Sequence, residues 1–174
     1  MTINSDKIQF GLADITIDEQ KIGLQADKAT VSIEPVFEDI VVLDAGKEAY
    51  DKRLVGYKGT VEFVIAEEDL ELYQYALVAK KVTKLEKNAL IDMKIGTSLR
   101  KDFGKKIVIH PRNATDKDTD ITIYKAVPSG SFSREYGLEQ GKLAIKFDML
   151  AKDDADFSKE GNYFCIGDPE TLTE

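Results

Sequence analysis

Few residues of this chain have the types and spacing that chemistry requires. His110 is the only histidine and Cys165 the only cysteine, so a nucleophile–base pair could be built from these two side chains alone. His110 precedes Pro111 at the end of an apolar run, a position more typical of a structural or surface histidine than of a catalytic one. A single histidine also excludes a multi-histidine metal site, so we predict neither catalytic nor metal-binding residues.

The run Asp116–Asp120 begins like a calcium-binding loop, with aspartates at its first, third and fifth positions. Such a loop needs glycine at its sixth position and a bidentate glutamate at its last. Ile121 and Val127 stand there instead, which favours a solvated acidic loop. The Gly-Lys pairs of the chain lack the flanking residues of a phosphate-binding loop, so we predict no cofactor.

Composition sets the broad class. The chain has 174 residues, 43% of them hydrophobic, as expected for one globular domain with a substantial core. No apolar run approaches the roughly 20 residues of a membrane helix, and no signal peptide is recognisable, so we expect folding in the cytosol. The net charge of −8 argues against tight nucleic-acid binding, which requires Lys and Arg to neutralise phosphates.

The elements that would position any site are mostly strands. Alternation over Val55–Ile65 predicts a half-buried antiparallel strand whose Lys58, Thr60 and Glu62 share the polar face. The residues that follow predict one α-helix over 67–79, with Leu70, Tyr73, Ala76 and Leu77 on its buried face. Further strands are predicted at Lys7–Leu12, Ile15–Ile17, Lys21–Ala26, Ala29–Leu43, Lys81–Glu86, Ala89–Ile95, Lys105–His110, Ile121–Val127, Ser131–Leu138 and Leu143–Leu150.

These patterns predict a mainly β protein: a β-sandwich or barrel with one flanking helix, in one domain spanning residues 1–174. Pro35 indicates an edge, bulge or bend in its strand, because it cannot donate a ladder hydrogen bond. We expect terminal arms at residues 1–6 and 151–174. We also expect a long inter-strand loop over 44–56.

With this order of elements, the chain resembles the major tail tube proteins of bacteriophages with long, non-contractile tails. The resemblance covers nearly the whole chain and rests on pattern and order, since the family has no short invariant motif. It is carried by the stretches Gln9–Ile17, Ala29–Arg53, Gly59–Leu72, Ile107–Pro111, Asp120–Ala126 and Glu139–Met149.

The resemblance implies a structural virion protein without enzymatic activity. Subunits of this family form homohexameric rings that stack into a hollow tube around a tape-measure protein, joined by tail terminator and distal tail proteins. The tube conducts DNA into the host without binding it specifically, and it is assembled in the cytoplasm of the bacterial host without membrane insertion. Strand edges that would invite aggregation are covered by neighbouring subunits in such a ring.

The resemblance also implies two surfaces. The loop over 44–56 becomes a candidate contact between rings, the alternative being a plain surface loop. The polar strand faces line the lumen or the outside of the tube, a choice that the sequence leaves open. The candidate inter-ring residues are Asp44, Lys47, Glu48, Tyr50, Asp51, Lys52 and Arg53, and the candidate lumen residues are Glu34, Lys58, Thr60, Glu62, Lys146 and Asp148.

Three other interpretations remain open. A tube protein of a contractile tail or of a secretion-type injection system would share the architecture. A β-sandwich that binds carbohydrate at a surface is a second alternative, although the absence of tryptophan counts against it. A hydrolase is the third, because carboxylates are numerous enough for a glycosidase-type pair. No spacing selects such a pair.

Overall fold

The computed structural model describes residues 11–23, 25–42, 44, 46, 48–66, 69–134, 136–137 and 141–172. The predictions for residues 1–6, Lys7–Phe10, Lys47, Glu67 and Glu68 therefore lie outside the described residues. The described strands are β1 (Ala13–Ile17), β2 (Gln20–Lys21), β3 (Thr30–Val41), β4 (Ala49–Ile65), β5 (Lys80–Lys84), β6 (Lys87–Ile91), β7 (Lys105–Pro111), β8 (Ile121–Pro128), β9 (Leu143–Leu150) and β10 (Phe164–Ile166).

The predicted mainly β fold with antiparallel sheets is confirmed. The main sheet has the order β2-β1-β7-β8-β9-β4-β3, and β10 pairs with the first half of β8. Strands β5 and β6 form a separate hairpin. Two α-helices, α1 (Leu70–Leu77) and α2 (Leu99–Asp102), and a 3-10 turn at Pro169–Leu172 complete the described elements.

The main sheet is strongly curled. Lys21 lies in β2 at one end of the strand order, whereas Gln25 bridges to Ile65 of β4 near the other end. Four Cα steps span at most about 15 Å. In a flat sheet, six strand spacings would hold these edges about 29 Å apart. The sheet must therefore bend into an incomplete barrel.

The concave face of this barrel carries the core. Strand registers place buried apolar residues opposite one another, as in Ile15 against Ile109 and Phe63 against Ile145. The rings of Phe63 and Phe147 stack at 6.2 Å. Burial of this interior drives folding, and its fully buried members include Val61, Phe63, Ile65, Ile107, Ile123, Ile145 and Phe147.

Helix α1 begins and ends at recognisable caps. The Asp69 carboxylate accepts a hydrogen bond from the Glu71 amide at 3.1 Å, and Val78 ends the helix in the left-handed conformation. Leu72, Tyr73, Tyr75 and Ala76 pack against the core. The predicted flanking position is confirmed, but Leu77 is 45% exposed, so its predicted burial is wrong. The buried face of the helix is centred on Ala76, the residue before Leu77.

Several strand predictions are wrong, each because a local contact replaces sheet pairing. In the described part of Ser131–Leu138 there is no strand, since Phe132 packs edge-on against Tyr73 of α1 and Arg134 hydrogen-bonds the same tyrosine. After Lys21, Gln25 makes only an isolated bridge, because this segment crosses between sheet edges. Helix α2 follows β6 and has Ser98 as its N-cap residue, without a side-chain cap bond.

A terminal arm is predicted over 151–174, and the described residues of this segment, 151–172, pack on their own chain. Arg100 donates to the carbonyl oxygens of Ala151 and Lys152 at 3.0 and 2.8 Å, and its Nε donates to Asp153. Buried Asn162 bridges backbone groups of the segment. Strand β10 then pairs antiparallel with β8, with Cys165 opposite Thr122.

The β1–β2 turn is fastened to the start of β7 by one ion pair. Burial raises the pKa of Asp18, but hydrogen bonds from Lys105 Nζ at 2.7 Å and the Lys106 amide at 2.9 Å outweigh it and hold that pKa below its ordinary 3.8. The hydrogen bond from Asp18 also raises the pKa of Lys105.

We predict that Asp18→Asn lowers the free energy of unfolding at pH 7 by about 0.5–1 kcal/mol, because the pair is partly exposed. A carboxylate with a lowered folded pKa stabilises the protein above its unfolded pKa, and this contribution is lost as the pH falls through the folded value. The difference between variant and parent should thus close only below pH 3.8. Urea unfolding across pH measures it, and closure near pH 6 would contradict the assignment.

Candidate functional site

The two residues that could form a catalytic pair lie apart in the structure. His110 Nδ1 is 2.6 Å from Oδ1 of Asp120, which is buried. Cys165 is buried on β10, with its Sγ 3.9 Å from the carbonyl oxygen of Gly167. Strand β8 separates β7 from β10, so two strand spacings, about 10 Å, divide them. Proton transfer from Cys165 to His110 needs hydrogen-bond contact, which this arrangement does not provide.

The acidic run Asp116–Asp120 does not converge on a common point. Asp116 Oδ1 accepts from the Asp118 amide at 3.1 Å, and Asp120 turns toward His110. Within the described ranges, no group of three or more His, Cys, Asp or Glu side chains is arranged to hold a metal ion. This run is a hydrogen-bonded turn that leads into β8.

The predicted polar strand faces come together as one surface across β3, β4 and β9, which we call the polar face. Glu34 lies opposite Lys58, and Thr60 lies between Ser32 and Asp148. All of them point away from the core residues Val61 and Phe63 of the same strand, because strand side chains alternate. The polar face comprises Thr30, Ser32, Glu34, Lys58, Thr60, Glu62, Lys146 and Asp148.

Opposite charges on the polar face pair across the strands. Lys146 Nζ is 2.6 Å from Glu62 Oε1, and this hydrogen bond raises the pKa of Lys146. Both side chains are largely exposed to solvent, so the ion pair adds little to stability. The polar face, with three carboxylates and two lysines, is thus a hydrated surface with a small net negative charge.

The predicted loop over 44–56 is wrong in its second part, since β4 already begins at Ala49. The outer halves of β3 and β4 form a hairpin that we call the arm, residues 36–55. Cross-strand pairing explains the error: Glu38 lies opposite Arg53, and Asp39 is 3.6 Å from Lys52. Among the candidate inter-ring residues, Asp44 and Glu48 lie in the connection, while Tyr50, Asp51, Lys52 and Arg53 lie in β4.

The arm reaches past the sheet to which its base belongs. Strand β9 pairs with β4 only over Thr60–Ile65, and no described strand pairs with the outer edge of β3. Beyond Ile40 the chain has left the barrel, so Val41 and Val42 are exposed. The arm instead exposes large apolar side chains, between 39% and 72% each: Phe37, Val41, Val42, Tyr50, Leu54 and Val55.

A groove with an aromatic floor runs between the arm and the C-terminal segment. Tyr57 packs against Tyr163 at 5.6 Å and edge-on against Phe164 at 5.3 Å. Leu54 lines one wall and Phe157, 71% exposed, lines the other. The groove is not among the features predicted from the sequence, although the aromatic residues clustered near the C-terminus are a signal of it.

Comparisons with known proteins add no assignment, since neither a protein-family model nor a curated protein matches the chain. No helix within the described ranges is both long and apolar enough to cross a membrane. The functional interpretation therefore depends on the polar face, the arm and the groove.

Two substitutions to threonine on one strand test the face assignment. We predict that Lys58→Thr changes the melting temperature by less than about 2 °C, because the side chain is exposed. Val61→Thr should lower the free energy of unfolding by roughly 1–3 kcal/mol, because it buries a hydroxyl in an apolar core. Thermal unfolding followed by circular dichroism compares the two, and equal effects would place both residues on the same kind of surface.

Proposed function

We propose that this chain is a structural subunit that assembles into stacked homohexameric rings forming the hollow tail tube of a bacteriophage with a long, non-contractile tail. The protein acts by assembly and carries no catalytic centre. Rings stack around a tape-measure protein, a terminator and distal tail proteins close the tube, and viral DNA later passes through it. On this proposal the protein is made in the bacterial cytoplasm and ends in the virion.

The observation that carries the proposal is the arm with the unpaired edge of β3. A long strand edge with exposed apolar residues is an aggregation hazard unless a partner covers it. A neighbouring subunit can cover it by extending the sheet, and a head-to-tail contact of this kind closes into a ring when its rotation fits. Pro35 and the bulges opposite Val36 and Ile40 limit which registers can pair.

The polar face supports a tube with a hydrated channel. It is continuous over three neighbouring strands, and it lies on the side opposite the core. Were the sheet extended from copy to copy, this face would continue around the ring. We propose that it lines the lumen, where Glu34, Glu62 and Asp148 would face the passing DNA.

The charge of the chain supports passive conduction of DNA. A surface that is acidic overall repels phosphates over about a Debye length, roughly 8 Å at physiological salt. DNA then slides past the wall without the counterion release that drives binding. The acidic wall acts as a non-adhesive lining.

Electron microscopy of the purified protein at rising concentration tests the proposal. We expect rings and then tubes of uniform diameter, with the onset set by concentration because assembly follows mass action. Adding a distal tail complex as initiator should lower the onset. A protein that stays monomeric in both conditions and binds glycans on an array would instead be the carbohydrate-binding alternative.

Charge reversal on the polar face tests its place in the lumen. We predict that phage carrying Glu34→Lys, Glu62→Lys and Asp148→Lys still form tubes but eject DNA at least tenfold more slowly, because the wall then attracts phosphates. The control carries Asp92→Lys, Asp102→Lys and Asp118→Lys, three exposed positions elsewhere. DNA release is followed by dye fluorescence, and equal rates in both phage would contradict a lumenal polar face.

A further inference from the structure

The β5–β6 hairpin is a basic element in an acidic protein. Residues 80–94 contain five lysines against two carboxylates. The hairpin tip is Leu85-Glu86, with φ values of 50° and 61°, where glycine and asparagine are the favoured residues. Leu85 is 86% exposed at this strained tip. This exposed leucine does not contribute to the core of the monomer, which suggests that it contacts another molecule.

One face of this hairpin is held by α1 and the other is free. Lys81 Nζ bonds Glu71 Oε1 at 2.8 Å, and Leu90, opposite Lys81, is half-buried. The opposite face exposes Val82 and Ile91. In the described part of the chain, the lysines of this free face form no ion pair: Lys80, Lys84 and Lys87.

The groove beside the arm has the complementary character. Its floor is apolar and aromatic, and Phe157 stands 71% exposed at its rim. Glu160 and Lys159 line the groove, and the C-terminal segment 151–174 to which they belong carries seven carboxylates against two lysines, among them Asp154 outside the lining. Asp153 is already engaged by Lys125 at 2.6 Å and by Arg100. No ion pair to Asp154 or Glu160 is seen among the described residues, and both are exposed.

We propose that the free face and tip of the β5–β6 hairpin of one copy dock in the groove of a second copy. Leu85 would contact the apolar floor, and Lys80, Lys84 and Lys87 would meet Asp154 and Glu160. This rests on the proposed function and names one of its subunit contacts. The β5–β6 hairpin of the same copy does not line the groove, which is formed by residues 54–57 of β4 and residues 157–164 of the C-terminal segment.

A second copy is the favoured occupant because the chain supplies both halves of the contact. The hairpin and the groove are formed by separate parts of the chain, so each copy can offer its hairpin to one neighbour and its groove to another; we propose this head-to-tail arrangement, which leaves one free half at each end. Electrostatic complementarity would guide encounter and select one orientation, since a lysine-rich face repels its own kind. The apolar contact of Leu85 would supply affinity.

Charge reversal with compensation tests the contact. Lys80→Glu, Lys84→Glu and Lys87→Glu together should raise the protein concentration at which rings appear at least tenfold. The matched control, Lys101→Glu, Lys106→Glu and Lys142→Glu, reverses three exposed lysines elsewhere and should assemble like the parent. Adding Asp154→Lys and Glu160→Lys to the first variant should restore assembly. Circular dichroism checks that every variant is folded.

Disulfide trapping tests the same contact without altering charge. A chain carrying both Leu85→Cys and Phe157→Cys should give a ladder of covalent oligomers under mild oxidation, because each copy links to the next. A chain that carries only Leu85→Cys or only Phe157→Cys should give no covalent oligomer larger than a dimer. Native Cys165 is buried and serves as the shared background.

The outcomes separate the two proposals. If the parent forms tubes, the variant with Lys80, Lys84 and Lys87 reversed assembles equally well, and no covalent ladder forms, the docking contact is overturned. The tail tube proposal then still stands. A ladder without rings or tubes at any concentration, even with initiator, supports the contact and overturns the tube. If neither a covalent ladder nor tubes form, both the docking contact and the tail tube proposal are overturned. Failure of the compensating pair to restore assembly overturns the assignment of Asp154 and Glu160 as the partners.

Discussion

The rest of the structure depends on the short crossing between Lys21 and Gln25. Because this segment joins opposite ends of the strand order, the sheet must curl, and the curl turns one face of every long strand inward. The isoleucines of β1 and β7, the phenylalanines of β4 and β9, and Ala76 of α1 then share one core. The bulge of β8 opposite the start of β7 keeps Ile123 and Ala126 on that inner face.

The curling of the sheet also determines which parts of the strands lie outside the core. Only the inner halves of β3 and β4 belong to the curled sheet, so the outer halves continue as the arm with cross-strand pairs but no interior to enter. Alternation still places Phe37 and Leu54 on one side, and in the monomer that side meets solvent. An exposed apolar surface of this kind lowers solubility. A partner that covers the arm is therefore a better explanation of these exposed side chains than chance.

Sequence reasoning succeeded where burial and period agree and failed where distant contacts decide. Leu143–Leu150 alternates strictly and lies in the middle of the sheet, and its strand was predicted with the observed bounds. Val55–Ile65 was recognised, but its extension back to Ala49 depends on pairing with β3, which no local pattern reveals. Phe132 and Tyr136 mimic strand alternation, while the actual partner of Phe132 is Tyr73 on a helix. The groove brings together residues a hundred positions apart, and composition alone could not assemble it.

The charges of the chain matter through their distribution more than through their sum. A net charge of −8 implies that copies of the chain repel one another, yet the β5–β6 hairpin carries a local positive charge. Repulsion between copies acts within about a Debye length, roughly 8 Å at physiological salt, and at that range the proposed docking would bring the lysines of one hairpin to the carboxylates of another copy. Such a contact is selective in orientation and sensitive to salt. In the proposed head-to-tail arrangement each open chain of copies would keep a free hairpin at one end and a free groove at the other until a ring closes.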